Sequence, residues 1–189
     1  NMNEYLNKEL GNEKHIDYIV TSDTDSLFIQ CKDLLISRHP NTDFTNQDDV
    51  IKKILVIANE LQLMANKFIG EFARDAFNLG DNGTHYFELK QEVVIDRGYF
   101  AGKRRYAQHI VNKEGVSVDE LDVKGLDLMK SNFPPLFKQF GEHLINEIMF
   151  GKPKEDIDKQ ILDFRTSIRT IDWKKILKPT GLKKMKEYL

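Results

Sequence analysis

The sequence predicts an α+β fold, in which an antiparallel sheet is packed by one long helix and followed by a helical segment. Three observations predict it. Short runs of β-branched and aromatic residues, separated by turn residues, occupy 17–31 and 84–112. Between them, apolar residues recur at helical spacing from Ile51 to Ala76. After Pro134 the strand patterns give way to two amphipathic helices.

Taken in order, residues 3–10 (NEYLNKEL) have helical composition and stop at Gly11-Asn12. Asp17–Val20 and Ser26–Cys31 are expected to be two strands around a tight turn. The polar stretch 40–49 offers Asn46 or Asp48 as a helix cap. From there Ile51, Ile54, Leu55, Ala58, Leu61, Ala65, Phe68, Phe72 and Ala76 make one stripe, expected to be mostly core. The spacing predicts a helix from about Asp49 to Phe77, stopping at Gly80, roughly 45 Å long. Residues 84–96 and 104–112 are expected as strands, with RGYFAG between them as a glycine-bracketed turn or close approach. The last two helices start at Pro134 and Pro153, and the first of them ends at Gly151. The pattern changes near 125–132, where a domain boundary is expected.

The 189 residues carry a formal net charge of −2, which hides an asymmetry. From Pro40 to Asp96 there are ten acidic and five basic residues; from Lys152 to Leu189 there are eleven basic and six acidic. A basic end of this kind suits a polyanionic partner. The single cysteine, Cys31, excludes an internal disulfide and fits a reducing compartment. The five histidines lack paired spacing, which argues against a zinc site. With no apolar stretch of membrane-spanning length and no signal-peptide pattern, a soluble cytoplasmic chain without membrane partners is expected.

The stretch YIVTSDTDSLFI places Asp23 and Asp25 one residue apart between two apolar runs. If the segment stays extended, both leave the same face. Close carboxylates either raise one pKa or recruit a cation. Magnesium suits them: it prefers oxygen ligands, keeps waters, and binds through one or two carboxylates plus substrate phosphates. The spacing alone favours an ordinary turn, where Asp bonds its own backbone.

The remainder of the chain adds to this. Asp23-Thr24-Asp25-Ser26 resembles motif C of the family B DNA polymerases, written Tyr-Gly-Asp-Thr-Asp-Ser. Lys103-Arg104-Arg105-Tyr106-Ala107 resembles that family's Lys-Lys-Arg-Tyr motif, which grips the primer strand. FELKQEVVIDRGYFAGKRRYA looks like the strand pair that carries it, and NEYLNKELG and VKGLDLMKSNFPPLFKQF resemble the T-even bacteriophage branch. The resemblance implies that 1–125 is the C-terminal part of a polymerase palm and 126–189 the first part of its thumb.

By resemblance, Asp25 bridges two catalytic magnesium ions, for which manganese can substitute, and Asp23 is the weaker partner. Thr24 and Ser26 support the turn. Glu92 assists the metals from a neighbouring strand, with Glu88 ranked below it, although Glu88, Lys90 and Glu92 also fit a solvated strand face. Lys103, Arg104, Arg105 and Tyr106 hold primer-template DNA through phosphate and generic groove contacts. Lys124, Lys130 and the tail lysines Lys174, Lys175, Lys178, Lys183, Lys184 and Lys186 are further candidates for DNA contact.

The sequence departs from the pattern at Thr21 and Ser22, where the family has Tyr and Gly, and at Lys90, where many relatives carry an acid. Motif A, motif B and an exonuclease segment are not found. The resemblance therefore implies a polymerase part that uses dNTP only with a second segment carrying exonuclease, fingers and motif A. An exposed sheet edge left by that separation would favour self-association. Two other readings fit part of the sequence: a non-catalytic DNA-binding palm and thumb module, and a magnesium-dependent Asp-x-Asp glycosyltransferase. The second leaves Lys103–Tyr106 unexplained.

Overall fold

The computed structural model describes residues 1–180 apart from Thr24, Asp81, Asn82, Thr84 and Pro179. It is α+β: five α-helices, a two-stranded antiparallel hairpin and a three-stranded sheet among the described residues. The chain divides into two compact units, Asn1–Val94 with Val111–Asp119, and Ile95–Ile110 with Glu120–Leu189. Among the described residues no helix is long and apolar enough to cross a membrane.

The first unit begins with α1 (Met2–Glu9), which Asn1 and Glu4 close with a reciprocal capping box. Gly11, at φ +64°, ends it as expected. The hairpin is β1 (Ile19–Asp23) and β2 (Ser26–Ile29), with Asp23 paired to Ser26 and an irregularity between Ile19 and Thr21. A short helix, α2 (Lys32–Arg38), leads to the long α3 (Gln47–Ala76). Asn46 caps α3 through Asp49 N, as the sequence suggests. The stop comes before Gly80: Asn78 adopts φ +50°, and Leu79 N donates back to Arg74 O at 3.0 Å.

Leu6, Tyr18, Leu34, Leu35, Ile57 and Leu61 form the core of this unit. Burying each large aliphatic side chain contributes about 1.5–3 kcal/mol. The stripe on α3 is core only in its first half. Phe68 and Phe72, expected inside, are 61% and 59% exposed and stack on each other at 6.4 Å. The core cluster takes Ile57 and Leu61 from the first half of the helix, and in the second half the buried residue is Ala73, which lies off the stripe. Cys31 packs against the core, its Sγ 3.6 Å from Ile29 O, and burial pushes the thiol up to about 11.

Two asparagines hold backbone in the same way. Asn7 on α1 donates to Ile16 O at 2.7 Å and accepts from Ile16 N at 2.8 Å. Asn66 on α3 donates to Leu89 O at 2.8 Å and accepts from Leu89 N at 2.7 Å. One turn earlier, Gln62 accepts from Gln91 N at 2.6 Å. This explains a correction. Residues 85–92, expected as the start of a strand, lie outside the ladder, and amides of α3 take backbone groups of Leu89 and Gln91. The expected alternation survives, with Glu88, Lys90 and Glu92 all on the open side.

The strand proper is β3 (Val93–Gly102), which includes the expected RGYFAG turn. Gly98 serves a ring rather than a bend: a Cβ there would lie 2.6 Å from the Phe100 ring. The turn falls at Lys103-Arg104, followed by β4 (Arg105–Lys113). A third strand, β5 (Val116–Lys124), goes beyond the strands expected from the sequence, and the sheet order is β3-β4-β5. Its signal is Glu114-Gly115, both at positive φ (50° and 87°), as a two-residue hairpin loop requires.

In the second unit, Ala107, Ile110 and Val123 are buried, and the helices are α4 (Pro135–Met149) and α5 (Lys154–Ser167). Phe140 stacks on Phe164 at 3.8 Å and Phe137 meets it edge-on at 5.5 Å. The end of α4 is fixed to the strands by a chain of contacts. Asp96 bonds His109 at 2.6 Å, His109 meets Phe150 edge-on, and Arg97 covers Phe150 while donating to Met149 O at 3.0 Å.

Asn66→Ala should lower unfolding stability by about 2 kcal/mol, since it removes two hydrogen bonds and strands the Leu89 groups. Asn59→Ala, on the same helix and exposed, should stay within about 0.5 kcal/mol. Urea titration of the two variants decides this, and equal losses would refute the clamp. A second outcome concerns pH. Bonds from Tyr5, then Arg38, hold the Glu9 carboxyl below its ordinary value. Its contribution is therefore present above the unfolded carboxylate pKa and lost as pH falls. Stability should decline below about pH 5, and Arg38→Gln should make that decline shallower in urea midpoints measured across pH.

Candidate functional site

The two carboxylates sit where the β1–β2 hairpin reverses. Asp23 is the last residue of β1, and its carbonyl accepts from Asp25 N and from Ser26 Oγ, the latter at 3.2 Å. These bonds tighten the reversal, and Asp25 lies in the turn, outside either strand. Asp25 and Ser26 are exposed and Asp23 is half-buried. Thr24 lies outside the described residues. Among the described residues, no hydrogen bond or ion pair engages the Asp25 carboxylate. A hard cation would find there an oxygen donor with no competing partner.

Glu92 belongs to the same unit. Its carbonyl accepts from Glu114 N at 2.8 Å, and with Leu55, Gln62, Lys90 and Gln91 it lines a groove of about 520 Å³. Glu88 is exposed and outside that lining. Among the described residues, no three His, Cys, Asp or Glu side chains gather closely enough to hold a metal ion. The hairpin thus offers a pair of carboxylates, and further ligands would come from phosphate, water or another polypeptide.

The cations of the second unit cluster on another hairpin. Lys103 and Arg104 form the two-residue turn between β3 and β4, and Arg105 opens β4; all three are exposed. Arg104 has φ +59°. Tyr106 is half-buried against Phe100, with ring centroids 5.6 Å apart, which fixes the plane beside the turn. Gly125 at φ +64° lies directly against this turn. A Cβ at Gly125 would stand 1.9 Å from Arg104 O and 3.0 Å from Arg104 C. Sequence reasoning missed Gly125; the Lys-Gly pair ending β5 was its available signal.

Lys103 and Arg105 form no ion pair among the described residues. The other two candidates do. Lys124 lies 3.3 Å from Asp122, and Lys130 lies 2.8 Å from Asp127. The hydrogen bond and charge of Lys130, followed by the charge of Arg105, hold the Asp127 carboxyl below its ordinary value. The Lys130 pair is exposed and Lys124 is more than half exposed, so exchanging carboxylate for phosphate costs little. Lys174, Lys175 and Lys178 are exposed, while Lys183, Lys184 and Lys186 lie outside the described residues.

The chain is similar to DNA polymerases from three kinds of source. It is 30% identical over 138 residues to DNA polymerase beta of African swine fever virus, which is 71% of this chain and 11% of that protein. It is 35% identical over 84 residues to the catalytic polypeptide of DNA polymerase alpha from Saccharomyces cerevisiae, 43% of this chain and 6% of that one. It is 26% identical over 143 residues to the DNA-directed DNA polymerase of Escherichia phage RB69, 70% of this chain and 15% of the phage enzyme. The similarity is thus to DNA polymerases broadly and is not specific to the phage branch. The matched stretch spans about a tenth of the length of the viral relatives. No family model matches the chain.

Gly125→Ala should be far more damaging than Gly151→Ala. Both glycines have positive φ, but nothing lies within 4 Å of a Cβ at Gly151. The Gly151 variant should lose only the conformational cost of about 1 kcal/mol, and the Gly125 variant at least twice that. The latter should also displace the amide resonances of Arg104 and Arg105. Similar melting losses in the two variants would show that the turn yields to the added methyl.

Proposed function

We propose that this chain, which belongs with the DNA polymerases by its similarity to the viral enzyme, is part of a family B DNA-directed DNA polymerase, contributing the C-terminal palm and the start of the thumb. The reaction is nucleotidyl transfer from a dNTP to a primer 3′-hydroxyl. One observation carries the reading: an exposed hairpin reversal with two carboxylates, in a chain 30% identical over 138 residues to a viral DNA polymerase. The motif order supports it, with the acidic hairpin first and the basic turn about eighty residues later.

The roles follow from the chemistry of each feature. Asp25, with its unengaged carboxylate, and Asp23 would hold magnesium, and Glu92 would assist from the groove edge. When bound, magnesium orients the triphosphate and stabilises charge on the departing pyrophosphate. Ser26 keeps the reversal closed by its bond to Asp23 O. Lys103 and Arg105 neutralise primer phosphates without regard to sequence, as a polymerase requires. Tyr106 lies beside them as a flat wall, and Lys124 and Lys130 release their carboxylates to extend the phosphate track. Positioning of the primer terminus is the main contribution of this turn to rate.

The aspartate of motif A and the lysine of motif B belong, in this reading, to a further polymerase segment that also carries exonuclease and fingers. The outer edges of β3 and β5 are the places where such a segment, or a second copy, can add a strand. A second reading has support in one observation. The cations at the β3–β4 turn, Lys103 and Arg105, are exposed, which favours primer-template binding as an activity of the chain by itself.

Two measurements test the proposal. Lys103→Gln with Arg105→Gln should weaken primer-template binding and reduce the slope of log affinity against log salt by about 2. Asp25→Asn should leave that binding within about twofold, yet cut labelled dNTP incorporation by roughly 100-fold or more when the complementary segment is supplied. Synthesis by the unsupplemented chain, or loss of DNA binding in Asp25→Asn with synthesis intact, would overturn the assignment.

A further inference from the structure

Trp173 is the only tryptophan in the sequence, and it is 61% exposed. It opens a 3-10 turn, Trp173–Lys175, after α5. The turn is built rather than loose. Asp172 accepts from Lys174 N at 3.0 Å, and Ile176 N donates to Trp173 O at 3.1 Å. The Lys174 ammonium stands over the indole ring, 5.8 Å from its centroid, and the side chain still keeps 61% of its surface exposed.

The adjoining sequence is cationic. From Arg165 to Lys178 the sequence has five basic residues, Arg165, Arg169, Lys174, Lys175 and Lys178, against the one carboxylate of Asp172. That carboxylate is used in the cap. None of the five cations forms an ion pair among the described residues. An exposed indole is a large apolar surface left in water, and a run of cations close to it in the chain suits a polyanion.

We infer that this turn is a stacking platform for single-stranded nucleic acid, with the indole against a base and the flanking lysines and arginines on the phosphates. A single strand offers both features together: base faces free to stack, and a charged backbone a few ångströms away. An intact duplex hides its base faces except at its ends. A lipid surface would ask for a longer amphipathic helix with a broad apolar face, which a three-residue turn does not supply. The inference relies on the polymerase reading only for the class of partner, since its residues are separate from the aspartate hairpin and the basic β3–β4 turn.

The single indole makes the test direct. The full chain is titrated with an oligo-dT strand, with an abasic strand of equal length, with a blunt duplex and with anionic vesicles, following tryptophan emission. Saturable quenching by oligo-dT and little by the abasic strand or the duplex is expected. Trp173→Ala should weaken oligo-dT binding, read by anisotropy of a labelled strand, roughly tenfold. Trp173→Phe should recover part of it. Lys174→Gln with Lys175→Gln should lower the salt slope by about 1.4, at roughly 0.7 per neutralised phosphate of a single strand. Circular dichroism checks that each variant keeps its helix content. The inference fails if oligo-dT binds without a change in emission, if it does not bind, if duplex or abasic strand quenches equally, or if vesicles alone produce the response. Oligo-dT binding unchanged in Trp173→Ala, with primer-template binding still lost in the Lys103/Arg105 variant, would sink this inference and leave the proposed function standing.

Discussion

Backbone hydrogen bonding is the constraint from which the first unit follows. Two stretches of chain, around Ile16 and around Leu89, run beside helices and form no ladder there. Each is instead gripped by an asparagine that offers its amide as donor and acceptor to one residue's C=O and N–H. The arrangement imitates one rung of a ladder while drawing its partner from a helix. Exposed or poorly paired peptide groups would otherwise cost free energy comparable to the bonds lost. Asn7 fixes the approach to β1, and so the height at which Tyr18 enters the core and the hairpin begins. Asn66 and Gln62 fix the segment that carries Glu92 along α3.

The second unit depends on a different economy of space. Its basic turn is shaped by the chain that passes against it, because Gly125 brings backbone to backbone at a separation no side chain tolerates. Tyr106 and Phe100 settle the other side, and the Asp96–His109–Phe150–Arg97 series ties the end of α4 to the strands. The cations therefore project from a support rigid on two sides.

Much of the fold is legible because helices announce themselves. Asn46 as a cap, Gly11 and Gly151 as stops, and the prolines ahead of α4 and α5 all act through local backbone chemistry. The sheet is harder. Residues 85–92 have strand composition, but the competition for their peptide groups comes from Asn66 and Gln62, over twenty residues away. RGYFAG has the composition of a turn because Gly98 and Gly102 bracket it, whereas Gly98 makes room for a ring. The Glu114-Gly115 pair is visible and carries β5, yet a charged residue before glycine is a weaker loop signal than Asn-Gly or Asp-Gly. Phe68 and Phe72 have the right period but no partner layer. At the candidate site the aspartates and the basic run are readable as chemistry. That Asp25 lies in the turn, outside either strand, and that Gly125 braces Arg104, needs three dimensions.

The environment of Cys31 has a practical corollary. With the thiol pushed up to about 11, roughly one molecule in a thousand carries a thiolate at pH 8. Maleimide chemistry will therefore favour any cysteine introduced on an open surface, and the native one need not be replaced first. Fluorophores or spin probes can then be attached at chosen points of either unit.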